Sequence, residues 1–438
     1  MNAPSPGSPT IWTRSFKFVC LATLLAYTHQ FLLLPILPLY VTDFGGSILL
    51  AGLIVSAFSV TSFFLRPLAG FAADRWNGGV VLFAGCLTLA ASGLAMAVPV
   101  LPLAFVANAV RGIGWGAINI GGSTLVSRDA PPSKRAEVSG YYSVATNLAP
   151  TFAPAIALWL LGAVPGGFAV VFALSSLTAL LAALASWQIP RAEDGGPRRV
   201  SAVDSPTVGS GEVAPSRTSP SSDVEASSAP ESPVPATPRQ SGLGAAFNVL
   251  IERRVLLAAA LQACLTATSS TTGAFIPLYA RSEGIEYIGW YFVASGVAVT
   301  VPRVFLGRFL DRGSRGQWVA CGFALCAAGL VLLFFGGAEL PAMIAGGAVY
   351  ALGVAVVNPA LMALAIDQGD PRRPGAAMAT YLMSYQFGTA LGAPGTALVI
   401  ERFGFSAMFA AAFALICVGL VFTIAKWSAL QPRPSRSA

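Results

Sequence analysis

Twelve long apolar stretches dominate this sequence and constrain its fold more than any other feature. Each is long enough to cross the hydrocarbon core of a membrane, which takes about 20 residues as a helix. Helix boundaries read from a sequence carry an error of several residues. The stretches cover about 16–41, 48–73, 79–98, 101–127, 137–161 and 166–188, then about 252–280, 286–310, 317–336, 341–366, 375–399 and 404–427.

The composition excludes a water-soluble enzyme with one large core. Of the 438 residues, 55% are hydrophobic and only 10% are charged, whereas a soluble domain carries about 25% charged residues. The first apolar stretch is too long for the core of a signal peptide and lacks a clean cleavage site, so we expect it to be retained as a span. All six cysteines lie in apolar segments without paired spacing, which indicates neither a disulfide framework nor a metal site.

The twelve stretches fall into two groups of six, separated by a segment of different composition. Residues 189–248 are rich in Ser, Pro, Ala and Gly and lack apolar periodicity. Such a composition is typical of a flexible tether. We therefore predict an all-α membrane protein with a tail (1–14), a six-helix bundle (15–188), a disordered linker (189–248), a second six-helix bundle (249–428) and a second tail (429–438).

An internal repeat relates the two groups. The segment from Ser62 to Arg75 matches the segment from Val299 to Arg312 at an offset of 237 residues. Internal repeats of this size are a feature of secondary transporters. The first and seventh spans also end alike, in PLYV and PLYA, and the fourth and tenth end in Asp129 and Asp367. The matched pairs of the first repeat are Arg66 with Arg303, Gly70 with Gly307, Asp74 with Asp311, and Arg75 with Arg312.

The positions of the basic residues predict the orientation. Of the 26 Lys and Arg residues, three lie inside spans; with the amino terminus in the cytoplasm only Arg281 and Arg402 face outside, and the remaining 21 lie inside. The positive-inside rule then places both termini and the linker in the cytoplasm. We predict a multi-pass protein of the cell membrane (an inner or plasma membrane). The pI near 9.3 is explained by topology, so no nucleic-acid partner is expected.

Three motifs resemble those of the major facilitator superfamily, and the resemblance covers everything except the tails and linker. Gly70-Phe-Ala-Ala-Asp74-Arg75 resembles the signature after the second span, and the copy from Gly307 to Arg315 is closer to it. Arg111-Gly-Ile-Gly-Trp-Gly resembles a motif common in proton-coupled members. The fifth span carries Gly140, Ala149 and Ala153-Pro154 at the spacing of an exporter motif, with two glycines replaced by alanine.

The resemblance implies twelve transmembrane helices in two pseudo-symmetric bundles that move a small molecule by alternating access. Proton-coupled efflux of a drug or metabolite is the favoured function. Uptake of a sugar or organic acid, as a symporter or uniporter, is the alternative. A channel or a membrane enzyme is disfavoured, since the repeat suggests two moving halves and no catalytic cluster is visible. We expect a monomer in the lipid bilayer without a cofactor, with protons as the coupling ion.

Charged residues at the cytoplasmic helix ends form a predicted gate. A carboxylate there can accept N–H groups from the start of a neighbouring helix, and Arg75 and Arg312 can pair with Asp129 and Asp367. The alternative is ordinary solvated helix ends, because surface ion pairs alone contribute little. The predicted gate comprises Gly70, Asp74, Arg75, Asp129, Gly307, Asp311, Arg312 and Asp367.

Polar residues at mid-depth form a predicted substrate or proton pathway. A lone Arg near the midplane is expensive and by default functional, while for most of the others interhelical packing is an equal alternative. No Asp or Glu lies deep in a span, so a proton would have to use the single histidine, which ordinarily titrates near pH 6.5, or Asp129 or Asp367. The pathway residues are His29, Gln30, Arg111, Asn119, Asn147, Gln262, Asn358, Tyr381 and Tyr385.

Overall fold

In the computed structural model the predicted all-α fold is confirmed. The structure describes residues 11–131, 134–189, 252–310, 314–370 and 374–426, and within these ranges it contains helices and no strand. The predicted linker from residue 190 onward, the C-terminal tail, Asp311 and Arg312 lie outside the described residues. The twelve helices are α1 (Arg14–Leu33 continued by Ile36–Asp43), α2 (Ile48–Trp76), α3 (Gly78–Met96), α4 (Leu101–Asp129), α5 (Arg135–Ala163), α6 (Gly167–Trp187), α7 (Leu256–Ser270, Thr271–Phe275 and Ile276–Ser282), α8 (Gly289–Leu310), α9 (Arg315–Phe335), α10 (Leu340–Gln368), α11 (Pro374–Phe403) and α12 (Phe405–Ala425).

Local sequence fixes several helix starts. The hydroxyl oxygens of Thr13, Ser47 and Ser314 accept the backbone N–H groups of Phe16, Leu50 and Gln317, and so cap α1, α2 and α9. These are N-cap interactions, which satisfy donors that have no partner inside the helix. Asn77 makes the tight turn between α2 and α3 with a φ of 85°, a left-handed conformation that Asn tolerates better than most residues.

The first helices of the two halves are both interrupted, and the two interruptions meet. In α1 the helix breaks at Leu34 and Pro35, because proline cannot donate to the helical hydrogen-bond ladder. In α7 the residues Thr271–Phe275 form a π-helical turn, a feature found mostly as a single-turn bulge and often at functional sites. A side chain on Gly273 would lie 3.5 Å from Cδ2 of Leu34. The repeat therefore extends to the irregular parts of the fold.

Glycines allow two helix pairs, one in each half, to approach closely. A Cβ on Gly114 of α4 would lie 2.8 Å from the carbonyl oxygen of Gly85 in α3. In the second half, a Cβ on Gly353 of α10 would lie 2.6 Å from the carbonyl oxygen of Gly322 in α9. Such contacts between small residues are the usual means of helix association in a membrane, where lipid tails remove most of the hydrophobic driving force.

The two halves meet along two helix pairs, α2 with α11 and α5 with α8. Outside this interface large apolar side chains face outward, as Trp159 (67% exposed) and Phe335 (79% exposed) do. Among the described residues, ten helices are long and apolar enough to cross a membrane, and α8 contributes a shorter apolar helix, Gly289–Pro302. The outward apolar surface is suited to contact with lipid.

Because successive helices run in opposite directions, the loops divide between two faces of the molecule. We call the face where α1 begins and α12 ends the terminal face. The opposite face, where α1 ends at Asp43 and α7 ends at Ser282, is the distal face. The predicted gate belongs to the terminal face.

Because α9 and α10 approach closely, one added methyl group between them should lower the stability of the protein. Gly353→Ala would place its Cβ 2.6 Å from both Sγ of Cys326 and the carbonyl oxygen of Gly322. Overpacking of this kind costs about 1–3 kcal/mol, so thermal unfolding of the purified protein in detergent should occur at a lower temperature. Gly395→Ala is the matched control, because a Cβ at Gly395 meets nothing within 4 Å; equal melting temperatures for the two variants would contradict the close approach.

Candidate functional site

An ion pair joins the two halves at the distal face. Nη1 of Arg281, at the end of α7, lies 2.5 Å from Oδ1 of Asp43, at the end of α1. The two residues are 238 positions apart, one more than the offset of the internal repeat, so they occupy nearly equivalent places in the two halves. A pair across the pseudo-twofold axis ties the halves together at one face.

Contacts between α2 and α11 also join the two halves at the distal face. Oε1 of Glu401 accepts the backbone N–H of Leu49 at 2.7 Å, where the first turn of α2 has unpaired donors and a positive partial charge. About two turns deeper, the Ser56 hydroxyl donates to the carbonyl oxygen of Ala390 at 2.6 Å. We refer to Asp43, Arg281, Glu401 and the N-terminus of α2 as the distal closure.

A cavity of about 190 Å³ lies between the halves, lined by parts of α1, α5, α7, α8 and α10. One side is apolar, with Phe31, Leu34, Pro150, Pro154 and Phe292. Hydroxyl groups enter from Thr151, Ser269, Thr272, Tyr291, Ser295 and Tyr350. Among the residues that line it, none is Asp, Glu, Lys, Arg or His. The cavity is suited to an apolar molecule with a few hydrogen-bonding groups.

Three of the predicted pathway residues meet in the second half. The Tyr381 hydroxyl lies 2.8 Å from Oε1 of Gln262 and 3.0 Å from the carbonyl oxygen of Asn358. Nε2 of Gln262 donates to Oδ1 of Asn358 at 3.0 Å. This network joins α7, α10 and α11, with Gln262 and Tyr381 buried. It satisfies its polar groups internally, which is typical of interhelical hydrogen bonding in a membrane.

Three further predicted pathway residues, Asn119, Asn147 and Tyr385, are more open. The Tyr27 hydroxyl donates to Oδ1 of Asn119 at 2.9 Å, joining α1 to α4. Asn147 donates to the carbonyl oxygen of Ser143 one turn earlier on α5 and is the only predicted pathway residue among those that line the cavity. Tyr385 on α11 is 45% exposed.

His29 is held inside the first bundle. Its Nδ1 lies 2.9 Å from the carbonyl oxygen of Ser175 on α6; since a carbonyl only accepts, Nδ1 carries the proton. The ring also lies against α3, where a Cβ on Gly93 would be 3.2 Å from Cε1 of His29. The side chain is fully buried and its Nε2 has no partner. His29 thus ties α1 to α6 and does not line the cavity.

Arg111 is buried on α4 without a carboxylate partner. The residue is 2% exposed, and Nε and Nη1 have no hydrogen-bond partner. Its guanidinium carbon lies 4.9 Å from the centre of the Phe58 ring on α2, in the arrangement of a cation–π contact. Gln30, also buried, has an unpartnered Oε1. Every Asp and Glu in the described ranges lies in a loop or near a helix end, so none reaches mid-depth.

The predicted gate is described only in part. Oδ2 of Asp367 lies 2.5 Å from Nε of Arg315 at the start of α9; Arg312, the predicted partner of Asp367, lies outside the described residues. Arg75 is exposed near the end of α2. Gly70 and Asp74 lie on α2, Asp129 ends α4 and Gly307 lies on α8, but their side chains fall outside the described part of the protein.

The distal closure and the hydroxyl groups of the cavity were missed by the sequence analysis. The closure had a visible signal, because Asp43 and Arg281 are separated by nearly the repeat offset and carry opposite charges. The hydroxyl groups of Ser269, Thr272 and Ser295 had none, since Ser and Thr occur throughout apolar helices. Their placement depends on helix rotation and on the interrupted geometry of α7.

Two pseudo-symmetric bundles that enclose a cavity closed at one face have the architecture of a secondary transporter. A family model described as Major Facilitator Superfamily matches residues 19–320 and, in a second match, 284–438. The chain belongs to this superfamily.

Individual relatives are distant. Quinolone resistance protein NorA of Staphylococcus aureus (strain N315) is 28% identical over 119 residues, 26% of this chain and 30% of that relative. A Multidrug resistance protein B homolog of Mycobacterium tuberculosis (strain CDC 1551 / Oshkosh) is 24% identical over 388 residues, 82% of this chain and 70% of the relative. Among solved structures, a POT family transporter in complex with 5-aminolevulinic acid gives a TM-score of 0.71 at 12% identity, covering 95% of this chain and 96% of that one.

Because Asp43 and Arg281 occupy nearly equivalent places, exchanging their charges should restore the stability that either single change removes. Asp43→Arg and Arg281→Asp each place like charges opposite one another, and each should lower the free energy of unfolding by about 1 kcal/mol, the upper range for exposed pairs. The double variant restores opposite charges and should return to within a few tenths of the wild-type value. Denaturant unfolding in detergent measures the cycle.

The matched control for this cycle is Glu286→Arg, which reverses an exposed charge in the same distal loop. Combined with Arg281→Asp, it should show an additive effect on stability. Additivity of the Asp43 and Arg281 changes would instead mean that the ion pair does not hold the distal face.

Proposed function

We propose that this protein exports a small molecule from the cell by alternating access, in exchange for protons. The observation that carries the proposal is the combination of a cavity between the two halves with a closure at the distal face, formed by contacts between those halves. A molecule in the cavity would leave through the distal face when the closure breaks. The halves would then part along α2 and α11 and rotate about the cavity.

The direction and the substrate class rest on the relatives and on the cavity wall. One relative is named for quinolone resistance and another for multidrug resistance, which supports export of foreign compounds. An uncharged wall with Phe31, Phe292 and several hydroxyl groups supports apolar, ring-containing molecules with a few hydrogen-bonding groups.

The proton pathway is proposed to pass through carboxylates near the helix ends. Asp367 is 33% exposed at the terminal face, where it pairs with Arg315, and water can reach it. Protonation would release this pair and loosen the contact between α9 and α10. His29 is the competing candidate, but it is fully buried and bound to a backbone carbonyl.

The orientation proposed from the basic residues can be tested directly. A reporter that is active only in the cytoplasm should be active when it is fused after Arg199, because 21 of the 26 Lys and Arg residues would lie on that side. A second reporter fused in the loop after Glu283 should give a periplasmic or extracellular signal. Reversed signals at both positions would contradict the orientation.

Transport in sealed vesicles tests the proposed function. Purified protein in proteoliposomes should move a fluorescent apolar dye faster when a pH gradient is imposed than when it is collapsed with an ionophore. We expect Asp367→Asn to lose most of this dependence, because the carboxylate can no longer take a proton, and His29→Gln to keep it. The opposite result for the two variants would assign coupling to His29.

The same experiment separates the alternatives. Movement that is equal with and without the gradient, and saturates with dye concentration, would indicate a uniporter. Movement in the same direction as the proton would indicate an uptake symporter. A flux that never saturates would indicate a channel and would contradict alternating access.

A further inference from the structure

The guanidinium of Arg111 is a positive charge without a negative partner. It lies inside the first bundle, 2% exposed, and Nε and Nη1 donate to no acceptor. Removing a charge from water costs several kcal/mol unless a counter-charge and hydrogen bonds replace the lost solvation. The described carboxylates all lie in loops or near helix ends, so the protein itself supplies no counter-ion at this depth.

The neighbouring polar groups do not satisfy Arg111. Nδ2 of Asn108, one turn earlier on α4, donates to the carbonyl oxygen of Ile54 at 2.6 Å, which fixes the orientation of that amide. Oδ1 of Asn108 and Oε1 of Gln30 are buried oxygen acceptors, yet neither has a partner. Buried acceptors on α1 and α4 and buried donors on α4 are thus both left without partners. Buried polar groups that lack protein partners are rare, and here they indicate a binding site for a ligand.

Aromatic rings separate Arg111 from the space between the halves. The Phe58 ring covers the guanidinium, with its centre 4.9 Å from the guanidinium carbon. The Trp115 ring is 6.3 Å from the Phe58 ring and 4.6 Å from the Tyr27 ring. Tyr27 in turn is 6.3 Å from Phe31, which lines the cavity. A continuous aromatic layer thus leads from the cavity to the buried charge.

We propose that Arg111 binds the carboxylate of an apolar, ring-containing monocarboxylate, whose ring packs on the aromatic layer of Tyr27, Phe58 and Trp115. The planar guanidinium matches a carboxylate with two parallel hydrogen bonds. One buried positive charge is neutralised by one carboxylate, whereas a phosphate dianion would bring a second charge with no partner. The aromatic rings favour a ligand with a flat apolar body.

Release of the distal closure would open the cavity from which the aromatic layer leads to this site. Phe58 lies on α2, the same helix whose N-terminus is held by Glu401 and whose Ser56 is bonded to Ala390. Because Asn108 of α4 donates to Ile54 of α2, the two helices move together, and the ligand would reach Arg111 through rotation of the Phe58 side chain. The inference rests on the proposed function in one respect, because the bound acid is taken to be the transported molecule.

Binding can be measured without transport, so the two proposals can fail separately. Purified protein in nanodiscs is titrated with 2-naphthoate and with 2-naphthamide, which has nearly the same shape and no charge. We expect the acid to bind at least tenfold more tightly than the amide, the amount that a charge-assisted hydrogen bond contributes. Equal binding of the two compounds, or binding of neither, would overturn the proposal.

Variants of Arg111 test whether its guanidinium is the group that binds the carboxylate. Arg111→Gln should reduce the affinity for naphthoate about tenfold or more and leave the affinity for the amide unchanged, while Arg111→Lys should retain part of the preference for the acid. Arg402→Gln is the matched control, since Arg402 is an exposed arginine at the distal end of α11. Loss of naphthoate binding in the control, or its retention in Arg111→Gln, would overturn the assignment.

Chloride distinguishes a carboxylate site from a general anion site. In wild-type protein at constant ionic strength, replacing sulfate by chloride should leave the naphthoate affinity within about twofold, because a spherical ion gains less from the guanidinium fork. Strong competition by chloride would overturn the carboxylate assignment. Because the acid and amide are compared on the wild-type protein, this test holds even if the Arg111 variants do not fold.

Discussion

The lack of water in the hydrocarbon core determines most of this structure. Each backbone N–H and C=O must find a hydrogen-bond partner inside the protein, and a helix provides these partners within a single segment. Helices in lipid then associate through close packing and a few polar contacts, since burial from lipid contributes little. Gly85 with Gly114, and Gly322 with Gly353, meet this requirement in equivalent places of the two halves.

For the same reason, the few polar side chains inside the protein are informative about its function. The Gln262, Asn358 and Tyr381 network is fully satisfied and joins three helices. The distal closure is exposed to water and weak, so it can break in each cycle. Arg111 is neither satisfied nor exposed. The first group holds one half together, the second joins the two halves, and the third, Arg111, is the proposed binding group for a ligand.

The sequence predicted the fold well because its signals were long and repeated. Spans of about 20 apolar residues are hard to mistake, and the offset between Asp74 and Asp311 revealed the duplication. It also included Gln262, Asn358 and Tyr381 among the polar residues at mid-depth. It could not orient His29, which lies in the middle of a span yet faces α6. Nor could it find the cavity hydroxyls, because a single residue of helix rotation, or the π-turn of α7, decides which face a serine occupies.

The central claim is that the two faces open alternately. Spin labels at Phe44 and Glu283 would report the distal face. Labels at Ser127 and Ile366, near the ends of α4 and α10, would report the terminal face; the members of each pair lie at nearly equivalent positions of the repeat. Double electron–electron resonance on a cysteine-free background, with and without Asp43→Arg, measures both distances. The account predicts that Asp43→Arg lengthens the distal distance and shortens the terminal one together. A longer distal distance with an unchanged terminal distance would contradict it.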